Sequence, residues 1–125
     1  ISDIYFYNTL LHSNCKIKIV ARSIFLQGAL LNFNKVKNIK YFKELSEAIV
    51  RLKEILKDHN LELTKALIAY IFSLNKLSMV IMGTTSLDNL NQNHFNSKIH
   101  LNNEIISELN NFSKDQALWT NPRNW

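Results

Sequence analysis

Residues 21 to 31 interrupt a β-rich run, residues 16 to 20, at a serine and at one of the chain's two glycines. The interruption predicts a strand that ends near Ser23 and opens into a loop through Gly28, because polar residues and glycine break strand pairing. We call such a transition from a strand into a loop an exit, and this one has the form of a binding loop. An ordinary strand-to-loop connection uses the same residue types, so the stretch alone leaves both interpretations open.

A second exit of this kind lies at the other glycine, Gly83. Residues 78 to 82 form a continuous apolar run, which predicts a strand buried on both faces. Hydroxyl residues and then a helix start follow the glycine. Backbone N–H groups and the positive end of a helix would meet there and favour a phosphate, although residues such as Thr84 and Ser86 are also ordinary helix N-caps.

Amphipathic helices are predicted between and after these exits. Apolar residues recur at helical spacing in three segments, with Asn102 or Asn103 as N-cap of the last. Glu47 and Arg51 are spaced for an ion pair on the outer face of the first helix. The three apolar stripes are Leu45, Ala48, Ile49, Leu52, Ile55 and Leu56; Leu63, Ala66, Leu67, Tyr70, Ile71 and Leu74; and Ile99, Leu101, Ile105, Ile106, Leu109 and Phe112.

The N-terminal part has an unusual connection. Residues 4 to 8 are aromatic and β-branched and predict a strand, but only residues 9 to 15 separate it from the next. Parallel neighbours need a crossover of about 10 to 12 residues or more. The two strands therefore either form a hairpin or lack a connecting piece.

Length and composition predict a single soluble domain. The chain has 125 residues, 46% of them hydrophobic, and no apolar run approaches the roughly 20 residues that span a bilayer. No signal-like segment opens the chain. The single cysteine, Cys15, cannot form an internal disulfide and suits a reducing compartment, so we expect a cytoplasmic protein.

The positive charge is local. The formal net charge is +5, but residues 1 to 43 hold seven Lys and Arg side chains against the single Asp3. This excess surrounds the first exit, where phosphates would dock, and it also fits a solvated lysine-rich surface. No zinc-ligand spacing, repeat or Gly-rich phosphate loop is found.

Both exits resemble the cofactor loops of aldo-keto reductases. Their Ser-x-Leu-x-x-Gly-x-Leu pattern, which wraps a nicotinamide dinucleotide after the seventh strand, reads Ser23, Phe25, Gly28 and Leu30 here, with Phe in place of the first Leu. Residues 81 to 93 align without a gap to the family's eighth strand and adenosine-binding helix. The resemblance implies cofactor contacts from Leu26 and places Thr84 as the phosphate-binding residue. It likewise places Gln92 and Asn93 at the adenine.

The sequence departs from the family at four positions. Gly83 replaces a Lys, as in many bacterial members, and Asn89 replaces the Arg that grips a 2′-phosphate, so the resemblance implies NADP or NAD without choosing. Ile4 replaces a Gln that bonds the carboxamide. Arg22 replaces the aromatic residue that stacks on the nicotinamide, and a guanidinium can also stack on a planar ring.

The C-terminus adds a second, separate motif. Residues 121 to 125 read Asn-Pro-Arg-x-Trp, which resembles a branch of bacterial aldo-keto reductases found with surface-polysaccharide genes, as does Ala-Arg-Ser-x-Phe-Leu-Gln-Gly at residues 21 to 28. The resemblance covers residues 16 to 125. It implies an α/β fold that is the C-terminal part of a (β/α)8 TIM barrel, with parallel strands and amphipathic helices packed outside, as one domain over residues 1–125 that is incomplete on its own.

The implied function is the cofactor-binding part of an NAD(P)H-dependent reductase that acts on a small aldehyde or ketone, such as a sugar. The family's catalytic Asp, Tyr, Lys and His lie on the first half of its barrel, so no catalytic residue is assigned here and the chain alone is expected to be inactive. Tyr and His side chains are better explained by packing or exposure. Two alternatives are a non-catalytic interaction module derived from a half-barrel and, as the weakest, a basic nucleic-acid binder.

Overall fold

The fold was analysed in a computed structural model, which describes residues 18–32, 34, 43–75 and 77–113. Its described elements follow the order strand, 3-10 turn, two helices, strand, two helices. They are β1 (Ile19–Arg22), a 3-10 turn (Leu26–Gly28), α1 (Lys43–Asp58), α2 (Leu63–Ser73), β2 (Leu77–Ile81), α3 (Leu87–Asn96) and α4 (Asn103–Ser113). The predicted strand at residues 4 to 8, the short segment 9 to 15 and the C-terminal motif lie outside the described residues.

The two strands form a parallel pair. Val20 pairs with Met79, Ala21 with Val80 and Arg22 with Ile81, after an irregularity between Ile19 and Val20. The chain is therefore α/β with parallel strands, as the sequence predicts. β1 ends at Arg22, directly before the predicted break at Ser23.

One face of this sheet is open, which overturns the prediction that the second strand is buried on both faces. Val20, Met79 and Ile81 are 48%, 58% and 53% exposed. The opposite face, with Ile19, Ala21 and Val80, is half-buried, and α2 contacts β2. A continuous apolar run predicts burial from composition, but within the described residues only one layer of helices covers the pair.

Helix α1 ends in a left-handed C-cap. The N–H of Leu61 donates to the carbonyl of Leu56 at 2.9 Å, and the N–H of Asn60 donates to that of Lys57 at 3.0 Å. Asn60 has φ of +50°, and this pair of bonds defines a Schellman motif. The motif stops α1 and turns the chain directly into α2, at the position the sequence predicts.

Helix α2 is the centre of the packing. Ala66 to Ile71 are all buried, six residues in succession, so the expected single apolar stripe is wrong for this helix. It contacts α1, α3 and β2. A helix that is covered on several sides buries residues around its whole circumference, and residues 66 to 71 of α2 are accordingly almost all apolar.

The main hydrophobic core joins α1, α2 and α4 with the end of the loop after β1. Its buried members are Ala29, Leu30, Leu45, Ala48, Ile49, Leu52, Leu56, Ala66, Leu67, Tyr70, Ile105 and Leu109. Two polar contacts fix α4 onto it. The hydroxyl of Tyr70 donates to Asn110 Oδ1 at 2.6 Å, and His59 Nε2 donates to Glu108 Oε2 at 3.0 Å.

Helix α3 buries polar side chains and exposes apolar ones. It buries Asn93 and Asn96, while Leu87, Leu90 and Phe95 are exposed. None of its residues belongs to the core just described. The predicted cap of α4 is confirmed, because Asn102 Oδ1 accepts from the N–H of Ile105 at 2.8 Å.

Across the described helices, none combines the length and the apolar character that crossing a bilayer requires.

Candidate functional site

The two exits lie at the same edge of the sheet. Arg22 and Ile81 are the last residues of β1 and β2 and are register partners. Because the strands are parallel, the loops that follow them both leave from this edge. The strand register therefore brings the starts of the two loops next to each other at one edge of the sheet.

The loop after β1 holds an unusual concentration of left-handed backbone. Ser23, Leu26 and Gln27 have φ of +56°, +48° and +55°, and Gly28 has φ of +87°. Each non-glycine residue in this region costs roughly 1–2 kcal/mol, and Leu26 is bulky as well.

Internal hydrogen bonds hold this loop in its strained form. The carbonyl of Phe25 accepts from Gly28 and Leu30, and the carbonyl of Gly28 accepts from the backbone N–H groups of Leu31 and Asn32 and from Asn32 Nδ2. Ala29 and Leu30 are buried in the main core. The loop is thus bonded to itself and anchored at its C-terminal end.

The same loop leaves backbone donors without partners. In the part of the chain that the structure describes, no backbone carbonyl accepts from the N–H groups of Phe25 or Gln27. These two donors flank the left-handed Leu26, and successive N–H groups around such a residue form a concavity suited to an anion. Gly28 has room for a Cβ, which would meet Asn32 Nδ2 at 3.5 Å, so its positive φ and not crowding is what favours glycine.

The second loop is organised by two hydroxyl groups. Ser86 is the N-cap of α3, and its Oγ accepts from the N–H of Asn89 at 3.1 Å. Thr84 Oγ1 donates to the carbonyl of Ser86 at 3.2 Å and lies 3.4 Å from the N–H of Ser86. The capping interpretation is therefore correct for Ser86, and Thr84 contributes an exposed hydroxyl that already shapes the turn.

The three amide residues expected at the adenosine end of α3 differ in burial. Asn89 and Gln92 are exposed, whereas Asn93 is 8% exposed. No described residue forms a hydrogen bond with the side chain of Asn93. Asn96, which lies one turn further on and was not singled out from the sequence, is 4% exposed. Its i, i+3 spacing from Asn93, which puts both residues on one side of the helix, is the sequence signal that could have identified it.

Arg22 is the cation nearest to both loops in sequence and register. It is exposed on the open face of the sheet, directly before Ser23. Within the described residues no carboxylate pairs with it, since the ion pair found there joins His59 and Glu108. Of the remaining basic residues around the first exit, Lys16, Lys35, Lys37 and Lys40 lie outside the described residues.

The described Tyr and His side chains, which could in principle donate a proton to a carbonyl, are explained by packing or by exposure. Tyr70 is fully buried and bonded to Asn110, and His59 is paired with Glu108. His94 and His100 are exposed. Among residues 18–32, 43–75 and 77–113 no group of His, Cys, Asp and Glu is arranged to hold a metal ion. Tyr5, Tyr7, His12 and Tyr41 fall outside the described residues.

Comparison with known proteins identifies the family. The model of the aldo/keto reductase family matches residues 7–114, most of the chain. The chain therefore belongs to the aldo/keto reductase family, and this membership indicates an oxidoreductase. No curated protein matches it.

Proposed function

We propose that this chain is the cofactor-binding part of an NAD(P)H-dependent aldo-keto reductase that reduces an aldehyde or ketone, such as a sugar. The observation that carries the proposal is the arrangement of the two loops at the carboxyl ends of adjacent parallel strands. Ligands of parallel α/β folds bind at that edge. Family membership supplies the reaction class.

The first loop is proposed to hold the phosphates of the dinucleotide. Its support is the strained backbone at Ser23, Leu26 and Gln27, together with the N–H groups of Phe25 and Gln27, which have no partner among the described residues. Strain of this kind persists where the surrounding structure fixes it, and it is concentrated at ligand sites. The hydroxyl of Ser23 and the backbone at Gly28 would complete the contacts.

The second loop and α3 are proposed to hold the adenosine part. Thr84 offers an exposed hydroxyl beside the positive end of α3, and Gln92 offers an exposed amide two turns along. The amide of Asn93 has no hydrogen-bond partner among the described residues, so a purine base could use it. Asn89 is neutral, so it adds no charge that would favour the 2′-phosphate of NADP over the hydroxyl of NAD.

A bound dinucleotide would supply the hydride. The chain's own contribution is to bind and orient it, with the flat face of the Arg22 guanidinium against the nicotinamide ring. The proton donor and its partners are proposed to lie on other strands of a complete (β/α)8 barrel, of which residues 1–125 form one C-terminal portion. We also propose that the enzyme acts in the cytoplasm.

Gln92→Ala tests the adenosine contact. We expect dinucleotide affinity to fall about two- to tenfold, because one net hydrogen bond contributes roughly 0.5–1.5 kcal/mol. NADH and NADPH titrations followed by their fluorescence measure the change, and thermal unfolding should stay within experimental error because the side chain is exposed.

Asn91→Ala is the matched control for this change. Asn91 is also exposed on α3, but it points about 100° away from Gln92 around the helix. Its removal should leave both affinities unchanged. Equal losses in the two variants would contradict a specific contact at Gln92, and no binding of either dinucleotide to the unmodified chain would refute the proposed function.

A second candidate function rests on the open sheet face. Exposed Val20, Met79 and Ile81 would suit a non-catalytic module that docks on another protein. Dinucleotide binding separates the two candidates, because such a module has no need of the strained loop.

A further inference from the structure

Arg22 is placed unlike the other described basic residues. It is the last residue of β1, and the alternation of the strand puts it on the open face together with Val20. Its register partner, Ile81, lies on the same face and is itself exposed. The guanidinium therefore extends from the edge of an apolar surface, at the strand end from which the two loops leave.

This environment strengthens any contact that the guanidinium makes. Val20, Met79 and Ile81 supply apolar surface around the strand end, and an attraction between charges increases as water is excluded. No described carboxylate neutralises Arg22. An unpaired planar cation with a rigid fork of N–H donors matches a carboxylate or a phosphate group.

The side chain of Arg22 and the loop after β1 point to different parts of the site. Cofactor phosphates are proposed to lie on the backbone donors of residues 23–30, beyond the end of β1. Side chains on the open face of a barrel strand point instead towards the centre, where the reacting molecule is held. A guanidinium there can stack its flat face on a ring and direct its edge donors to a second molecule.

We propose that the edge donors of Arg22 bind an anionic group of the carbonyl substrate, so that the enzyme selects aldehydes or ketones carrying a carboxylate or a phosphate ester. The inference rests on the proposed function for its reaction class. It adds a substrate charge that neither the family nor the dinucleotide site specifies.

NMR of the intact chain tests this proposal. The chemical shifts of the arginine side-chain Nε–H groups are followed while small carbonyl compounds are added. The sequence has three arginines, Arg22, Arg51 and Arg123, so the signals can be assigned by substitution. Pyruvate and dihydroxyacetone phosphate are the charged probes, with hydroxyacetone and dihydroxyacetone as neutral counterparts. We expect a saturable shift of the Arg22 signal with about tenfold tighter binding of a charged probe, the size of one charge-assisted contact.

Arg22→Tyr separates the two uses of the side chain. A tyrosine keeps a flat face for the nicotinamide but has no cationic fork, so the preference for charged probes should disappear, and NADH affinity is measured on the same variant. Arg51→Tyr, an exposed position on α1, should leave both measurements unchanged.

The outcomes distinguish this inference from the proposed function. Retention of the anion preference in Arg22→Tyr, or equal shifts with neutral probes, would overturn the inference while NADH binding still supports the site. A tenfold loss of NADH affinity in the same variant would also overturn it, by assigning the cation to the cofactor. Failure of the unmodified chain to bind NADH would refute the proposed function instead.

Discussion

Purified alone, the 125 residues will self-associate and will oxidise no NADPH when offered aldehydes. The open face of the β1–β2 pair exposes Val20, Met79 and Ile81 side by side. A two-stranded sheet is marginal in water, and exposed apolar faces and strand edges drive association. Turnover should be absent because the proton-donating residues are proposed to lie on other strands.

Light scattering and an NADPH oxidation assay measure these two expectations. The double substitution Met79→Lys and Ile81→Lys should shift the distribution towards the monomer, since it places two charges on the open face. Val50→Lys is the matched control, because Val50 is a comparably exposed apolar residue on α1. A monodisperse monomer that turns over substrate would refute both the incomplete-barrel proposal and the assignment of the catalytic residues elsewhere.

Leu52→Ala will lower the free energy of unfolding by about 2–5 kcal/mol, which is most of the stability of the protein. Leu52 is 2% exposed, at the middle of α1 within the main core. A buried Leu→Ala change costs about 2–5 kcal/mol, while complete natural domains have only about 5–15 kcal/mol of stability in total. A chain with an uncovered sheet face should be at the low end of that range, so the loss consumes most of its stability.

Urea unfolding followed by far-UV circular dichroism measures this effect. The neighbouring substitution Val50→Ala provides the comparison, because Val50 is 45% exposed on the same helix. It should change the free energy of unfolding by less than about 0.5 kcal/mol. Similar midpoints for the two variants would show that α1 does not pack as described.

The helices and the placement of the two loops could be predicted from the sequence. Apolar spacing located α1, α2 and α4, and Asn102 identified the cap of α4, because these signals are local to a few turns. The parallel pairing of β1 and β2 is what the resemblance to the aldo-keto reductase barrel implied. Because parallel neighbouring strands end at the same edge of a sheet, the loops that follow β1 and β2 both start at that edge.

Other features depend on contacts that a local pattern does not contain. The run at β2 is apolar throughout, yet Met79 and Ile81 are exposed because burial is set by how many layers cover the sheet. Left-handed φ at Leu26 and Gln27 has no residue signature, since both residue types ordinarily avoid it. The inward Asn93 and Asn96 likewise reverse the polarity that helix spacing would favour.

The Schellman turn at Asn60 also bears on the order in which the protein folds. It joins α1 to α2 through bonds between residues that are close in the chain, whereas β1 and β2 pair only after both helices have been bridged. Contacts between distant residues carry a larger loop-closure cost and form later. We therefore expect pulse-labelled hydrogen exchange to protect α1 and α2 amides before those of Ala21 and Val80, and the reverse order would contradict it. The loops that carry the proposed site would then be the last part of the chain to acquire their shape.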